Sequence, residues 1–396
     1  MKYHFDEIVN RRNTYSYKWD GGKYITKSGL TNRYDEETLP LFTADMDLPV
    51  PQPLLDALHK TVEHRIFGYS IFPEEYYTAI QHWFKKRHDW EIKKEEIVYC
   101  PGTVYATKVA IKAFTEPGDG VIIQRPVYPP FTREITSNGR QVVNNALKYD
   151  GEGYYTIDFE DFEEKVKNDK TKLFILCNPH NPTGRIFKDE ELKRLSDICA
   201  KNNVIIAADE IHGDLIRKSQ TFTPIVKAAE NTDHIITFTA INKTFNLAGL
   251  HCTNAVIPNP ELRKKFSSHV DMKSASPFMI SALISVYNDG EEWLEQLNEY
   301  LDGTMEWVGQ FLAERMPKVK VKIPEGTYVM WMDFSEYGLQ PKEVHERIYN
   351  RANVLLQDGV MFGREGIQHQ RICIPSPRPI IKEAFARIAR EFEDLK

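Results

Sequence analysis

Val204-Ile205-Ile206-Ala207-Ala208-Asp209-Glu210-Ile211-His212 is the stretch from which the rest of the chain becomes readable. Five apolar residues in succession, without polar alternation, read as a strand buried on both faces, as in a parallel sheet covered by helices. The run ends on a carboxylate, and a carboxylate at the end of a buried strand needs a cation or hydrogen bonds to be tolerated there. Alone, Asp209 reads equally well as a helix cap, and His212 as a hydrogen-bonded core histidine.

Working outward, short apolar runs of the same kind recur at 97–99, 121–123, 173–176, 235–238 and 255–257. Between them lie amphipathic segments such as Thr103–Phe114 and 190–201. This alternation predicts an α/β fold with a mostly parallel sheet, flanked by helices and carrying its site at the strand ends. Helical periodicity also marks 52–64 and Glu74–His88. After about Ser285 strands thin out to 328–332 and 371–374, with a closing helix over 381–395, the pattern of a smaller α+β domain. The expected division is an N-terminal segment, 1–49, packing with the small domain, a large domain, 50–285, and a small C-terminal domain, 286–396.

Composition narrows the function classes. With 396 residues, 41% hydrophobic and 27% charged, the chain can bury a sizeable core. Its net charge of −6 and mixed charges give no nucleic-acid surface. The five cysteines are scattered without the paired spacing of a zinc or redox site, so reduced thiols and no metal are expected. The opening residues lack a signal peptide's apolar core, and no run approaches membrane-spanning length, which predicts a cytoplasmic protein.

Three further motifs follow buried strands. Lys243, in Asn242-Lys243-Thr244-Phe245-Asn246-Leu247-Ala248-Gly249, sits among small and apolar residues, where desolvation lowers an amine's pKa and suits it to imine chemistry. An arbitrary lysine belongs on the surface, so this reading depends on its company. Asn178-Pro179-His180-Asn181-Pro182-Thr183-Gly184-Arg185 carries two Asn-Pro steps, which force a turn-rich backbone and leave amide side chains free to donate. In Cys100-Pro101-Gly102-Thr103-Val104, Gly102 allows a close backbone approach, and the N–H groups of Thr103 and Val104 at a helix start make an anion site. Read singly, each is a structural turn.

In order, Gly102-Thr103, Pro126-Val127-Tyr128, Asn181-Pro182-Thr183-Gly184, Asp209 and Lys243 resemble fold-type I pyridoxal-phosphate (PLP) enzymes over nearly the whole chain. That resemblance implies an aminotransferase-like fold with a seven-stranded sheet, and PLP held as a Schiff base to Lys243. Gly102, Thr103 and Val104 would meet its phosphate, and Tyr128 would stack on the ring. Asn181 would bond the phenolate oxygen, with His212 nearby, and Asp209 would pair with the pyridinium nitrogen. Tyr69, in Phe67-Gly68-Tyr69-Ser70, resembles the tyrosine that reaches the phosphate of the neighbouring subunit, which implies a homodimer. Arg371 resembles the arginine whose planar fork holds the substrate carboxylate, with Asn181 and Tyr128 beside it and Asp45 and Phe362 lining the pocket.

Within that superfamily, Tyr17-Lys18-Trp19-Asp20, Thr43-Ala44-Asp45-Met46-Asp47, Phe67-Gly68-Tyr69-Ser70 and Asp209-Glu210-Ile211-His212-Gly213-Asp214-Leu215 are similar to MalY/PatB-type cystathionine β-lyases, also called carbon–sulfur β-lyases. The implied reaction is α,β-elimination from L-cystathionine, L-cysteine or related conjugates to thiol, pyruvate and ammonia, with Lys243 as base. A PLP-dependent aminotransferase is the alternative, because the same residues serve both; a regulatory or interaction protein on this fold is a third, against which the intact residue set argues. Two positions depart from the aminotransferase pattern: Ala240 replaces a phosphate-binding serine and His251 an arginine, leaving Thr239 or Asn242 to compensate.

Overall fold

The computed structural model describes residues 1–395. Seven strands form the main sheet: β1 (Ile97–Cys100), β2 (Gly120–Ile123), β3 (Gln141–Asn144), β4 (Thr171–Cys177), β5 (Ile205–Asp209), β6 (Ile235–Thr239) and β7 (Thr253–Val256). Their spatial order is β1-β7-β6-β5-β4-β2-β3. β3, β2, β4, β5 and β6 pair in parallel, and β7 runs antiparallel between β1 and β6. Ile206, Ala207 and Ala208 are fully buried, because helices cover both faces of a parallel sheet. The mostly parallel α/β architecture read from the sequence is thus the observed one.

Register explains how the motifs meet. Cys177 lies opposite Asp209, and Asp209 opposite Phe238. The turns after β2, β4, β5 and β6 therefore leave the same edge of the sheet. Because β7 is antiparallel, its first residue, Thr253, sits at that edge beside Cys100, the last residue of β1.

A second sheet of four antiparallel strands has the order β8 (Lys320–Val321), β9 (Val329–Asp333), β11 (His369–Cys373), β10 (Gln357–Asp358). Arg371 stands on β11 opposite Trp331. The N-terminal chain crosses to this side: Leu39 and Pro40 pair in parallel with Val354 and Leu355, and the Leu41 carbonyl accepts from Cys373 N at 2.9 Å. Residues 42–47 are thereby laid between the two sheets' site-bearing edges.

Element boundaries differ from expectation in places with physical causes. The run at 255–257 forms a strand two residues earlier, Thr253–Val256, because polar Thr253 and Asn254 are buried in the ladder. β3 was not anticipated, since its edge position leaves Gln141 exposed and its remaining residues only partly covered. The last helix spans Arg378–Arg390 rather than 381–395; Pro379 in its first turn opens it earlier, and a short 3₁₀ turn, Glu393–Leu395, follows its end.

Candidate functional site

Lys243 is carried by a single helical turn, Ile241–Thr244, directly after β6. Its Nζ donates to the carbonyl of Ala44 at 2.7 Å. That carbonyl also accepts from the Tyr328 hydroxyl at 2.8 Å. Burial, assisted by the nearby Arg371 cation, lowers the pKa of Lys243, so its amine is held toward the neutral, basic form. The next residue anchors the turn: Thr244 Oγ1 donates to Asp214 at 3.3 Å, and Asp214 also accepts from Trp83, Arg87 and His88.

Asp209 closes β5, 5% exposed. Its carboxylate receives one long backbone contact, from Ile211 N at 3.4 Å, and no ion pair is formed with it among the described residues. Burial pushes its pKa up to about 7, against the pull of that N–H and of Lys243. A deeply desolvated carboxylate with no cation is costly unless a positive partner completes it. His212 Nδ1 is likewise buried without a hydrogen bond, and its ring meets Tyr328 edge to face at 5.5 Å.

Arg371, 2% exposed, approaches from β11. It donates to Asn181 Oδ1 at 3.2 Å and to the Phe42 carbonyl at 2.9 Å, and its Nε has no partner. The guanidinium lies 5.1 Å from the Phe362 ring centre. A buried, always-charged fork without a carboxylate is half of a bidentate pair. Tyr128 is joined to Asn181 by its backbone N–H at 3.1 Å, and its partly buried ring packs at the end of β2's turn.

At the other end, Gly102 adopts φ +110° and opens the helix Thr103–Phe114. A Cβ at Gly102 would meet no atom within 4 Å, so the glycine is there for backbone conformation. The N–H groups of Thr103 and Val104 bond to no described residue, and the Thr103 hydroxyl is 2.9 Å from that of Thr253. Thr239 Oγ1 faces the Asn254 carbonyl and Asn242 Oδ1 accepts from Cys252 N, so both side chains are engaged elsewhere, while Ala240 is buried and His251 exposed.

The fold thus gathers Lys243, Asp209, His212, Asn181, Tyr128 and Arg371, with the Gly102–Val104 turn at one end. Tyr69 stands apart, fully exposed in a stretch with exposed Ile66, Phe67 and Ile71. Asp45 lines a neighbouring cavity of about 470 Å³ with Arg11 and Asn246. Sequence reasoning missed the carbonyls of Phe42 and Ala44, which no residue identity announces. It also missed Tyr328, hidden in an apolar run that read only as a strand, and Arg11, whose partners lie more than thirty residues away.

The aminotransferase class I and II family model matches residues 41–388. Cystathionine β-lyase PatB of Bacillus subtilis is 36% identical over 388 residues, covering 97% of this chain and 98% of that protein. Cystalysin of Treponema denticola, solved with a pyridoxal 5′-phosphate cofactor, superposes with a TM-score of 0.94 at 35% identity over the full length of both chains. A PLP-bound C-S lyase from Staphylococcus hominis gives 0.92 at 33% identity, covering 99% of each.

Proposed function

Given that the chain belongs to the aminotransferase class I and II family, in its MalY/PatB-type branch, we propose that it is a PLP-dependent carbon–sulfur β-lyase. It cleaves L-cystathionine, L-cysteine or a related conjugate to thiol, pyruvate and ammonia. The observation that carries this reading is the full-length likeness to a cystathionine β-lyase, joined to a centre in which a buried amine, an unpaired carboxylate and an unfilled guanidinium converge.

The residues fit the cofactor. Asp209 lacks a cation of the kind a protonated pyridine nitrogen provides, Thr103 and Val104 offer unused N–H groups to a phosphate, and the buried amine of Lys243, its pKa lowered by burial, suits an aldehyde. When bound, PLP supplies an electron sink for the pair left at the substrate's Cα. Arg371 would hold the α-carboxylate through its fork, with Asn181 keeping the guanidinium aimed, and Tyr128 would pack against the bound cofactor. Lys243 takes the Cα proton. The Ala44 carbonyl, itself fixed by the Tyr328 hydroxyl, positions the amine. Departure of the β-sulfur as thiolate then leaves an enamine product that hydrolyses to pyruvate and ammonia.

The same reading takes the chain as a cytoplasmic homodimer in which Tyr69 reaches the partner's site, supported by the exposed apolar stretch around it. It also divides the chain into 1–49, 50–285 and 286–396. No described helix is long and apolar enough to cross a membrane.

The test is product analysis of the PLP-loaded protein with L-cystathionine, following pyruvate by a coupled reductase. Catalytic pyruvate with the cofactor's visible absorbance regained at the end is the expected result. Conversion of the cofactor to pyridoxamine phosphate without pyruvate would instead establish transamination.

A further inference from the structure

In the four-stranded sheet, β9 and β11 set Trp331 opposite Arg371 and Asp333 opposite His369. Because side chains alternate along a strand, these four project from one face, and all four are buried. A hairpin from the chain between β3 and β4, in which Lys148 and Tyr149 pair with Thr156 and Tyr155, meets that face. Tyr149 donates to Asp333 at 2.9 Å. The Tyr155 hydroxyl accepts from Trp331 Nε1 at 2.9 Å and lies 3.1 Å from His369 Nε2. The Trp331 and His369 rings are themselves stacked, 5.0 Å apart.

The direction of each hydrogen follows from the partners. His369 Nδ1 lies 3.2 Å from the Ile367 carbonyl, which can only accept, so Nδ1 carries the ring hydrogen. Burial holds the imidazole toward its neutral form against the pull of Asp333. Nε2 is then an acceptor for the Tyr155 O–H, and one hydroxyl serves indole and imidazole at once. Neither ring turns without leaving a buried polar group unpaired. The chain of contacts ends at the site. Trp331 meets Phe362 edge to face at 5.2 Å, and the Phe362 ring lies 5.1 Å from the Arg371 guanidinium. All hydrogen bonds of that guanidinium leave from its terminal nitrogens, and its Nε makes none. The tilt of the fork therefore depends on the aromatic wall beside it.

We infer that Tyr155, anchored by His369, is a positioning residue for the reaction: through Trp331 and Phe362 it fixes the fork of Arg371 and so sets how tightly an α-carboxylate is held. This rests on the reading that Arg371 takes the substrate carboxylate. Without the Tyr155 hydroxyl, the buried indole N–H and the imidazole nitrogen both lose their partner, and an indole that tilts to find another moves Phe362 with it. A carboxylate must meet two N–H groups at once, so a small misplacement of the fork weakens it. Tyr149 belongs to the same hairpin and bonds the same sheet face, but its partner is Asp333, outside the path through Trp331 and Phe362 to Arg371.

The test titrates the visible absorbance of the PLP-loaded protein with L-alanine and with ethylamine, the same amine without its carboxylate. In Tyr155→Phe the affinity for L-alanine should fall roughly tenfold while that for ethylamine stays within about twofold. With L-cystathionine the same variant should raise KM by a similar factor and leave kcat within about threefold. Tyr149→Phe should keep the ratio of the two affinities within about twofold of the parent. Trp331→Phe, which removes the indole donor and keeps a ring, carries the same expectation as Tyr155→Phe and decides the matter should that variant fail to fold. An unchanged ratio in these variants overturns the inference, as does an equal loss on both ligands or a loss in Tyr149→Phe as large as that in Tyr155→Phe. A parent protein that binds L-alanine no better than ethylamine would instead defeat the reading of Arg371 itself, and this inference with it.

Discussion

Two lysine–aspartate neighbourhoods are buried in this protein and they are built in opposite ways. Around Lys18 and Asp47 every charge is answered: the ammonium is 2.7 Å from the carboxylate, and arginine, indole and hydroxyl groups take up the remaining lone pairs. Around Lys243 and Asp209 the charges are left open. The amine is turned to a neutral carbonyl, and the carboxylate has one long contact to a backbone N–H. Burial alone therefore does not identify a reactive site. Groups desolvated at a cost and then left unsatisfied do, because such a cost persists where a ligand completes the arrangement.

The contrast is broken most severely at its two lysines. Lys243→Ala should abolish pyruvate formation from L-cystathionine by a factor on the order of 10³ or more, with little effect on the thermal midpoint, since no ion pair is lost. In the other neighbourhood, Asp47→Ala leaves a fully buried ammonium with only the more distant Asp45, at 3.4 Å. The expected cost is about 3–5 kcal/mol of stability, read as a lower denaturation midpoint at unchanged slope. If Asp47→Ala were the silent change and Lys243→Ala the unfolding one, the assignment of structure to one pair and chemistry to the other would be reversed.

A pH series sharpens the same comparison. Asp209 has a folded-state pKa near 7, raised by burial, against about 4 unfolded. The folded state therefore holds its proton where the unfolded state has lost it. The contribution to stability is complete below pH 4 and falls as pH rises through about 7, by on the order of a few kcal/mol. Glu210, pushed up to about 8 by burial and by the neighbouring Asp209 charge, adds an overlapping loss that continues to about pH 8. The measurement is the midpoint of cofactor-free protein from pH 4 to 8 in the parent chain and in Asp209→Asn. The variant should lose the Asp209 slope between about pH 4 and 7 and keep the part of the Glu210 loss that burial causes, which runs on toward about 8. Adding PLP to the parent should flatten the Asp209 portion as well, because a paired carboxylate stays ionised.

Much of this centre was legible before any coordinates. Asp209, Lys243 and Asn181 follow runs of buried apolar residues, and a strand end in a parallel sheet is where such sheets place their ligands. The open sheet edge was legible for the same reason. The antiparallel turn of β7 was not, because 255–257 is as apolar as its parallel neighbours and orientation leaves no mark on periodicity. The Lys18–Asp47 cluster was half visible: the motifs stood out, but their pairing depends on a chain crossing that brings residues 11–47 against Ser376. Main-chain partners such as the carbonyls of Phe42 and Ala44 are invisible in principle, since every residue carries the same group.

The smallest expected effect concerns the anion end of the site, where backbone rather than side chain is poised for a ligand. Gly102→Ala introduces a methyl into open space at φ +110°, so any penalty is conformational and not steric. Such a residue costs about 1 kcal/mol or somewhat more in a region that L side chains rarely adopt. If the strained turn exists to aim the Thr103 and Val104 N–H groups, the alanine variant should relax it and weaken PLP binding by roughly tenfold, while Thr103→Val, which keeps both N–H groups, should weaken it less. Equilibrium titration of cofactor absorbance on both variants separates the two. Equal losses would place the affinity in the Thr103 hydroxyl and its contact with Thr253, and the unanswered N–H groups would then belong with the structural half of the molecule.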